Sequence, residues 1–267
     1  MSRVQLSSAH ALVTGATGGI GHAIARHLHR AGARLTLTGR RTDVLEPLCA
    51  ETGARSLVVD LADRDAVLRL ADECSDADVL IANAALPASG DVRSFSVEEL
   101  DAALDVNLRA PMVLARLIGE RMAERGRGHI VFVSSLSGKS GQRGSAVYSA
   151  TKFGLRGFGQ GLRGDLRDDG VGVSVVFPGF IREAGMFHDS GAKLPKGVGT
   201  STPDDVAAGV LKAIEQDRAE LDVAPLGLRA GTAVAGLAPE VSAKIARRLG
   251  GDRIAEDMGA GQAAKRR

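Results

Sequence analysis

Aromatic side chains are scarce in this chain: among 267 residues there is no tryptophan, one tyrosine and seven phenylalanines. A large core must therefore be built from Ala, Val, Leu and Ile packed between close helices and strands. No interleaved set of aromatics exists on which bases could stack, and the three basic residues of the terminal AAKRR are poor evidence for nucleic acid, so no nucleic-acid function is expected. The two cysteines, Cys49 and Cys74, fall in separate helical stretches without metal-ligand spacing. They read as reduced packing residues, with no disulfide framework and no metal site. No apolar stretch reaches the ~18 residues of a membrane span. The apolar part of the opening MSRVQLSSAHALVTG is too short for a secretory leader and is needed as a first strand, which makes cytoplasmic residence the default expectation.

What the chain does have is glycine, 34 of them, with 44% hydrophobic and 25% charged content. That length and balance suit one large α/β core. Short apolar runs alternate with longer periodic ones, the pattern of βαβ units and a parallel sheet. Strands are expected near 9–14, 33–39, 54–60, 78–83, 128–135, 172–178 and 219–224, with helices near 19–31, 42–52, 63–75, 96–124, 146–169 and 203–217. Ser96 with Glu99 forms a capping-box pattern, and Pro203 after Thr202 opens a helix. The sum is a seven-stranded, doubly wound α/β sheet with helices on both faces. Right-handed crossovers put all carboxyl strand ends on one edge, where Gly15, Arg40, Asp60, Asn83, Ser135 and Pro178 would meet.

Two patterns on that edge carry chemistry. The first, Thr14-Gly15-Ala16-Thr17-Gly18-Gly19-Ile20-Gly21, lies between an apolar strand and a helix. Glycines there let backbone N–H groups and the positive helix end approach a pyrophosphate, although a glycine-rich turn can also serve only the turn. The second is Ser135 in VSSLSG followed by Tyr148 and Lys152 in YSATK. A phenol and an ammonium four residues apart share a helix face, so the cation can bias the phenol's proton toward transfer. A tyrosine alone is more often an amphipathic packing residue. Asn107, in LDVNLRAP ahead of the serine strand, would by itself read as a solvated or capping residue.

In order and spacing, TGATGGIG, Asn107, Ser135, YSATK and Pro178-Gly179 closely resemble the short-chain dehydrogenase/reductase family, over roughly residues 9 to 224. The resemblance implies a Rossmann-like fold and a nicotinamide-dependent oxidoreductase interconverting a carbonyl and an alcohol. It implies Tyr148 as general acid/base, Lys152 lowering its pKa and binding the nicotinamide ribose, Ser135 orienting the substrate oxygen, and Asn107 supporting a water-linked proton path. It further places Gly15, Thr17, Gly19, Ile20, Gly21, Asp60, Leu61, Asn83, Ala84, Pro178, Gly179 and Ile181 against the cofactor. Asn83, in IANAAL, corresponds to the central Asn of the family's NNAG motif, with Ala82 and Ala85 replacing an Asn and a Gly. The family also implies a homodimer or homotetramer assembled through the helices near 96–124 and 146–169.

The second strand ends RLTLTGRR, where a carboxylate would bind ribose hydroxyls and repel a 2′-phosphate. Arg40 and Arg41 instead suit a phosphate, favouring NADP(H) over NAD(H); the alternative is that they cap a strand end in solvent. Residues 179–202 form the substrate loop, with Phe180, Ile181, Met186 and Phe187 offering apolar contacts or packing the loop down. An apolar ketone, aldehyde or alcohol is the expected substrate class. The loop lacks the Thr-Asp-Met common in acyl-carrier-protein ketoreductases, which disfavours that reading, and Glu183 stands where the family commonly has a nicotinamide-contacting Thr. Residues 1–224 thus read as the NADP-binding domain and 225–267 as a helical extension with a basic tail. From Asp222 onward there are eight basic and five acidic residues. Pro239 can start a helix that Gly250-Gly251 ends, with Val241, Ile245 and Leu249 on one stripe. The extension could dock on a partner subunit, cover the site, rest on an anionic membrane surface, or pack on its own domain before a disordered GQAAKRR. A cofactor-binding redox sensor without turnover, or a membrane-surface interaction module, are the alternatives to an enzyme.

Overall fold

In the computed structural model, which describes residues 4–195, 197–248 and 251–263, seven parallel strands form one sheet in the order β3-β2-β1-β4-β5-β6-β7. They are β1 (His10–Val13), β2 (Arg34–Gly39), β3 (Arg55–Val58), β4 (Val79–Ala82), β5 (Gly128–Val133), β6 (Val171–Pro178) and β7 (Glu220–Val223). All seven expected strands are present, and β1, β4, β5 and β6 are buried along their whole length. Such continuous apolar runs are what a sheet covered on both faces requires.

Side-chain alternation divides the core in two. Ala11 and Val13 of β1, Val79 and Ile81 of β4, and Val131 and Val133 of β5 face one layer, with α1 (Gly19–Arg30), α2 (Thr42–Thr52) and α8 (Pro203–Glu215). Leu12, Leu80, Ile130 and Phe132 face the other, with α3 (Arg64–Glu73), α5 (Ala110–Glu124) and α6 (Ala146–Leu166). The chain moves outward from β1 to β2 and β3, then crosses back to β4 and proceeds the other way. The crevice between β1 and β4 is therefore the switch point at which ligands bind in such sheets.

The helix expected over 96–124 is divided. Ser96 caps α4 (Val97–Leu104) through the anticipated capping box with Glu99, but a π-helical turn, Asp105–Arg109, separates it from α5. Asn107 lies in that turn, and Pro111, which lacks an N–H, sits in the first turn of α5. The substrate loop carries a short helix, α7 (Met186–Ser190), and a parallel bridge between Ile181 and Ser201.

Beyond β7 come α9 (Leu226–Leu237), α10 (Pro239–Arg248) and α11 (Gly251–Gln262). Pro239 opens α10, which ends at Arg248 ahead of Gly250-Gly251 as expected, and Gly251 begins a further helix that was not anticipated. The expectation of a disordered GQAAKRR is corrected at its start: Gly261 and Gln262 complete α11 and Gln262 is buried, while 264–267 lie outside the described residues. Of the stripe expected on α10, Val241 is exposed; the Ile245 side chain and Leu249 lie outside what is described.

Candidate active site

The turn after β1 is shaped by contacts that exclude side chains. Gly15 has φ +67°, and a Cβ there would lie 2.7 Å from Ala84 Cα. At Gly21 a Cβ would lie 2.2 Å from Gly15 O, and at Gly39 one would lie 2.4 Å from Thr17 Cγ2. Glycine at these positions lets the turn, α1 and the end of β2 close together. Thr14 Oγ accepts hydrogen bonds from the N–H groups of Asn83 (3.1 Å) and Ala84 (3.2 Å), and Asn83 Nδ2 donates to Thr14 O and Gly15 O. Asn83 thus stitches β4 to the turn without needing the asparagine and glycine that usually flank it. Helix α1 begins with Gly18 as its N-cap, with no side-chain cap and no acid in its first turn. Its positive end is left for an anion, as a pyrophosphate site requires.

The turn opens onto a cavity of about 460 Å³. Gly15, Thr17, Gly19, Ile20, Gly21, Arg40, Asp60, Leu61, Asn83, Ala84, Ser135, Tyr148, Lys152, Pro178, Gly179 and Ile181 all line it. At its outer end Arg40 and Arg41 stand beside the turn. Arg41 donates to Thr17 O, and the Arg40 guanidinium is half-exposed, 3.9 Å from the Asp60 carboxylate, whose other oxygen accepts from Ala62 N–H. No carboxylate ends β2, and both arginines line the cavity beside the turn.

At the inner end, Ser135 follows β5 and Tyr148 and Lys152 lie on α6. Lys152 is 2% exposed; its Nζ donates to Val133 O (2.9 Å) and lies 5.5 Å from the Tyr148 ring centre. Burial pushes the Tyr148 phenol up to about 12, against the opposing pull of its hydrogen bond with Ser135. Burial also pushes the Lys152 ammonium down to about 8. Desolvation dominates both groups, and the Lys152 ammonium stands 5.5 Å from the centre of the phenol ring.

Asn107 lies behind the cavity wall instead of in it. Fully buried, it accepts from Leu86 N–H (2.6 Å) and donates Nδ2 to Leu86 O (2.9 Å), so its amide spends its bonds on the loop after β4. The π-turn aims it there, a detail that helical periodicity does not reveal. Glu183 has φ +74°, pairs with Arg182 at 3.0 Å, and does not line the cavity. Beside it, Ala184 rests on the glycine-rich turn: a Cβ at Gly19 would lie 2.2 Å from the Ala184 Cβ. Phe180 and Phe187 meet with ring centres 5.0 Å apart, and Ile181 packs into the core.

Several lining residues were not anticipated: Leu86 and Ser89 after β4, Gln142 to Ser145 before α6, Leu228 and Thr232 of α9, and Ile254, Ala255, Met258 and Gln262 of α11. Ile254 and Met258 stand four apart, a weak helical signal hidden by four glycines between residues 250 and 261. Among the described residues no group of three His, Cys, Asp or Glu could hold a metal, and no helix is long and apolar enough to cross a membrane.

Residues 9–194 match the short chain dehydrogenase family. The ketoacyl reductase HetN of Nostoc sp. is 36% identical over 79% of this chain and 77% of its own length. A solved structure described as a putative betaketoacyl-ACP reductase is 31% identical, covering 83% of this chain and 98% of that one with a TM-score of 0.75. A short-chain dehydrogenase from Sphingobium yanoikuyae in complex with NADPH is 25% identical, covering 87% and 94%, with a TM-score of 0.77. With the family match spanning more than half of its residues and relatives of this identity and coverage, the chain belongs to the short-chain dehydrogenase/reductase family of oxidoreductases.

Proposed function

We propose that the protein is an NADP(H)-dependent reductase of neutral, apolar ketones or aldehydes, working reversibly on the corresponding alcohols. The observation that carries this reading is a single cavity lined by Ser135, Tyr148 and Lys152 at one end and by Arg40 and Arg41 at the other. The glycine-rich turn and the uncapped start of α1 would hold the pyrophosphate, Arg40 and Arg41 the 2′-phosphate, Asp60 and Leu61 the adenine, and Lys152 the nicotinamide ribose. When bound, the nicotinamide supplies the hydride. Ser135 and Tyr148 hold the substrate oxygen. Tyr148, neutral at pH 7 with its pKa near 12, then gives its proton to the developing alkoxide. In the oxidative direction a phenolate is needed, and the Lys152 cation is the group placed to stabilise it. Asn107 supports the site by fixing Leu86.

Relatives named ketoacyl reductases support carbonyl reduction, and the lining by Leu86, Leu136, Phe180, Met186 and Leu228 supports an apolar substrate body. The test is steady-state oxidation of NADPH and NADH with a ketone panel. NADPH should be preferred by at least about tenfold in kcat/KM, and Tyr148→Phe should remove turnover while NADPH affinity stays within about threefold.

A further inference from the structure

Helix α11 lies outside the segment that matches the family, yet one of its faces closes the cavity that holds Tyr148. Gly251, Ile254, Ala255, Met258 and Gln262 recur at three- and four-residue intervals and all line that cavity, while Glu256, Asp257 and Ala260 are exposed. The helix is seated at backbone distance. A Cβ at Gly261 would lie 2.3 Å from Ser190 O on α7, and one at Gly259 would lie 2.9 Å from Gly90 Cα in the loop after β4. Gln262, 1% exposed, then joins the two sides of the cleft: its Oε1 accepts from Ser89 N–H (3.3 Å) and its Nε2 donates to Met186 O (3.3 Å). Arg143, which also lines the cavity, is engaged by Asp252 (2.9 Å) and Glu256 (3.5 Å) of the same helix.

We infer that α11 is the distal wall of the substrate site, with Ile254 and Met258 as specificity-determining side chains and Gln262 as the positioning residue that holds the wall closed. This rests on the oxidoreductase reading above and narrows its substrate. The wall contributes an aliphatic and a thioether surface, and the nearby Arg143 guanidinium is turned toward two carboxylates of α11 at the solvent-exposed rim. A neutral compound with an apolar body is favoured on both counts. A keto acid of the same length would have to compete with those carboxylates for Arg143 and would gain nothing from the Ile254 and Met258 surface.

The test compares bulky and small neutral ketones and a length-matched keto acid in the wild type, Met258→Trp and Gln262→Ala. Met258→Trp should lower kcat/KM for the bulky ketone at least about tenfold, with the small ketone changed less than about threefold and NADPH affinity unchanged. Gln262→Ala should raise KM for both neutral ketones by about fivefold or more with kcat little altered, because it loosens the wall without touching the reacting atoms. A second readout needs no turnover. Cys49 and Cys74 are buried, so maleimide labelling of Met258→Cys reports on the wall. In the presence of NADPH the bulky ketone should slow labelling, and adding Gln262→Ala should speed it. Unchanged ketone selectivity in both variants, with NADPH oxidation intact, would overturn the wall and spare the enzyme reading. If the wild type oxidised NADPH with no ketone, the enzyme reading would fall; ketone protection of the introduced thiol would still support the wall, and its absence would overturn it.

Discussion

Lys152 is the residue at which function and stability pull apart most clearly. Its ammonium is almost fully buried, and its pKa falls from 10.5 to about 8. Between those values the unfolded chain binds a proton that the folded chain has lost, so folding stability contributed by this group rises as pH climbs from about 8 to 10.5. At pH 7 the folded protein carries the cost of a buried cation, on the order of 3 kcal/mol, offset in part by the hydrogen bond to Val133 O. Lys152→Met should accordingly raise the Tm of the cofactor-free protein at pH 7 by roughly 5 °C, with the gain shrinking toward pH 10.5. Thermal melts at pH 7, 9 and 10.5 check both size and trend; a loss of Tm at pH 7 would contradict it. The same variant should lose cofactor affinity and turnover together, unlike Tyr148→Phe. At the other end of the cavity, Arg40→Ala should weaken NADPH by about tenfold or more and leave NADH nearly unchanged, because only one of the two carries the 2′-phosphate. Isothermal titration with both nucleotides decides it.

Among the elements, the π-turn Asp105–Arg109 matters most for how the site is held. It directs Asn107 at the backbone of Leu86, where both amide bonds are made out of water. Asn107→Ala would leave one buried N–H and one buried C=O without partners, at about 1–3 kcal/mol each. A Tm drop of several degrees is expected, and since Leu86 lines the cavity, KM for ketones should rise as well. A variant as stable as wild type would show that Leu86 finds other partners. The contrast between elements also shows what the sequence makes legible. The strands could be placed because β1, β4, β5 and β6 are continuous apolar runs, and the glycine-rich turn because glycines with no room for a Cβ fall between strand and helix. Spacing alone puts Tyr148 and Lys152 on one helix face; the candidate roles of Ser135, Tyr148 and Lys152 come only from the resemblance to the family's motifs. The π-turn was not legible, since one extra residue per turn leaves no mark in an apolar pattern, and neither was α11. Its seating depends on Gly259 and Gly261 as points of close approach, whereas glycines in a polar terminal segment ordinarily signal irregular chain.

For the whole molecule, the contact between the family core and the C-terminal helices matters most for how the cavity is closed. Leu104 of α4 and Phe153 of α6, both more than 40% exposed, lie on the helices anticipated to meet a second subunit. Sedimentation velocity should show a dimer or tetramer, and Phe153→Glu should shift it toward smaller species; an unchanged distribution would place the interface elsewhere. The sheet brings Gly15, Arg40, Ser135 and Tyr148, far apart in the chain, onto one cavity, and α9 and α11 finish its far side. The central claim is that this cavity joins NADPH to a neutral apolar ketone through Tyr148. The measurement that tests it most directly is single-turnover oxidation of NADPH by such a ketone, followed at 340 nm, in the wild type and in Tyr148→Phe. Oxidation in the wild type, lost in the variant although NADPH still binds, is the predicted result. Comparable oxidation in both proteins would contradict it.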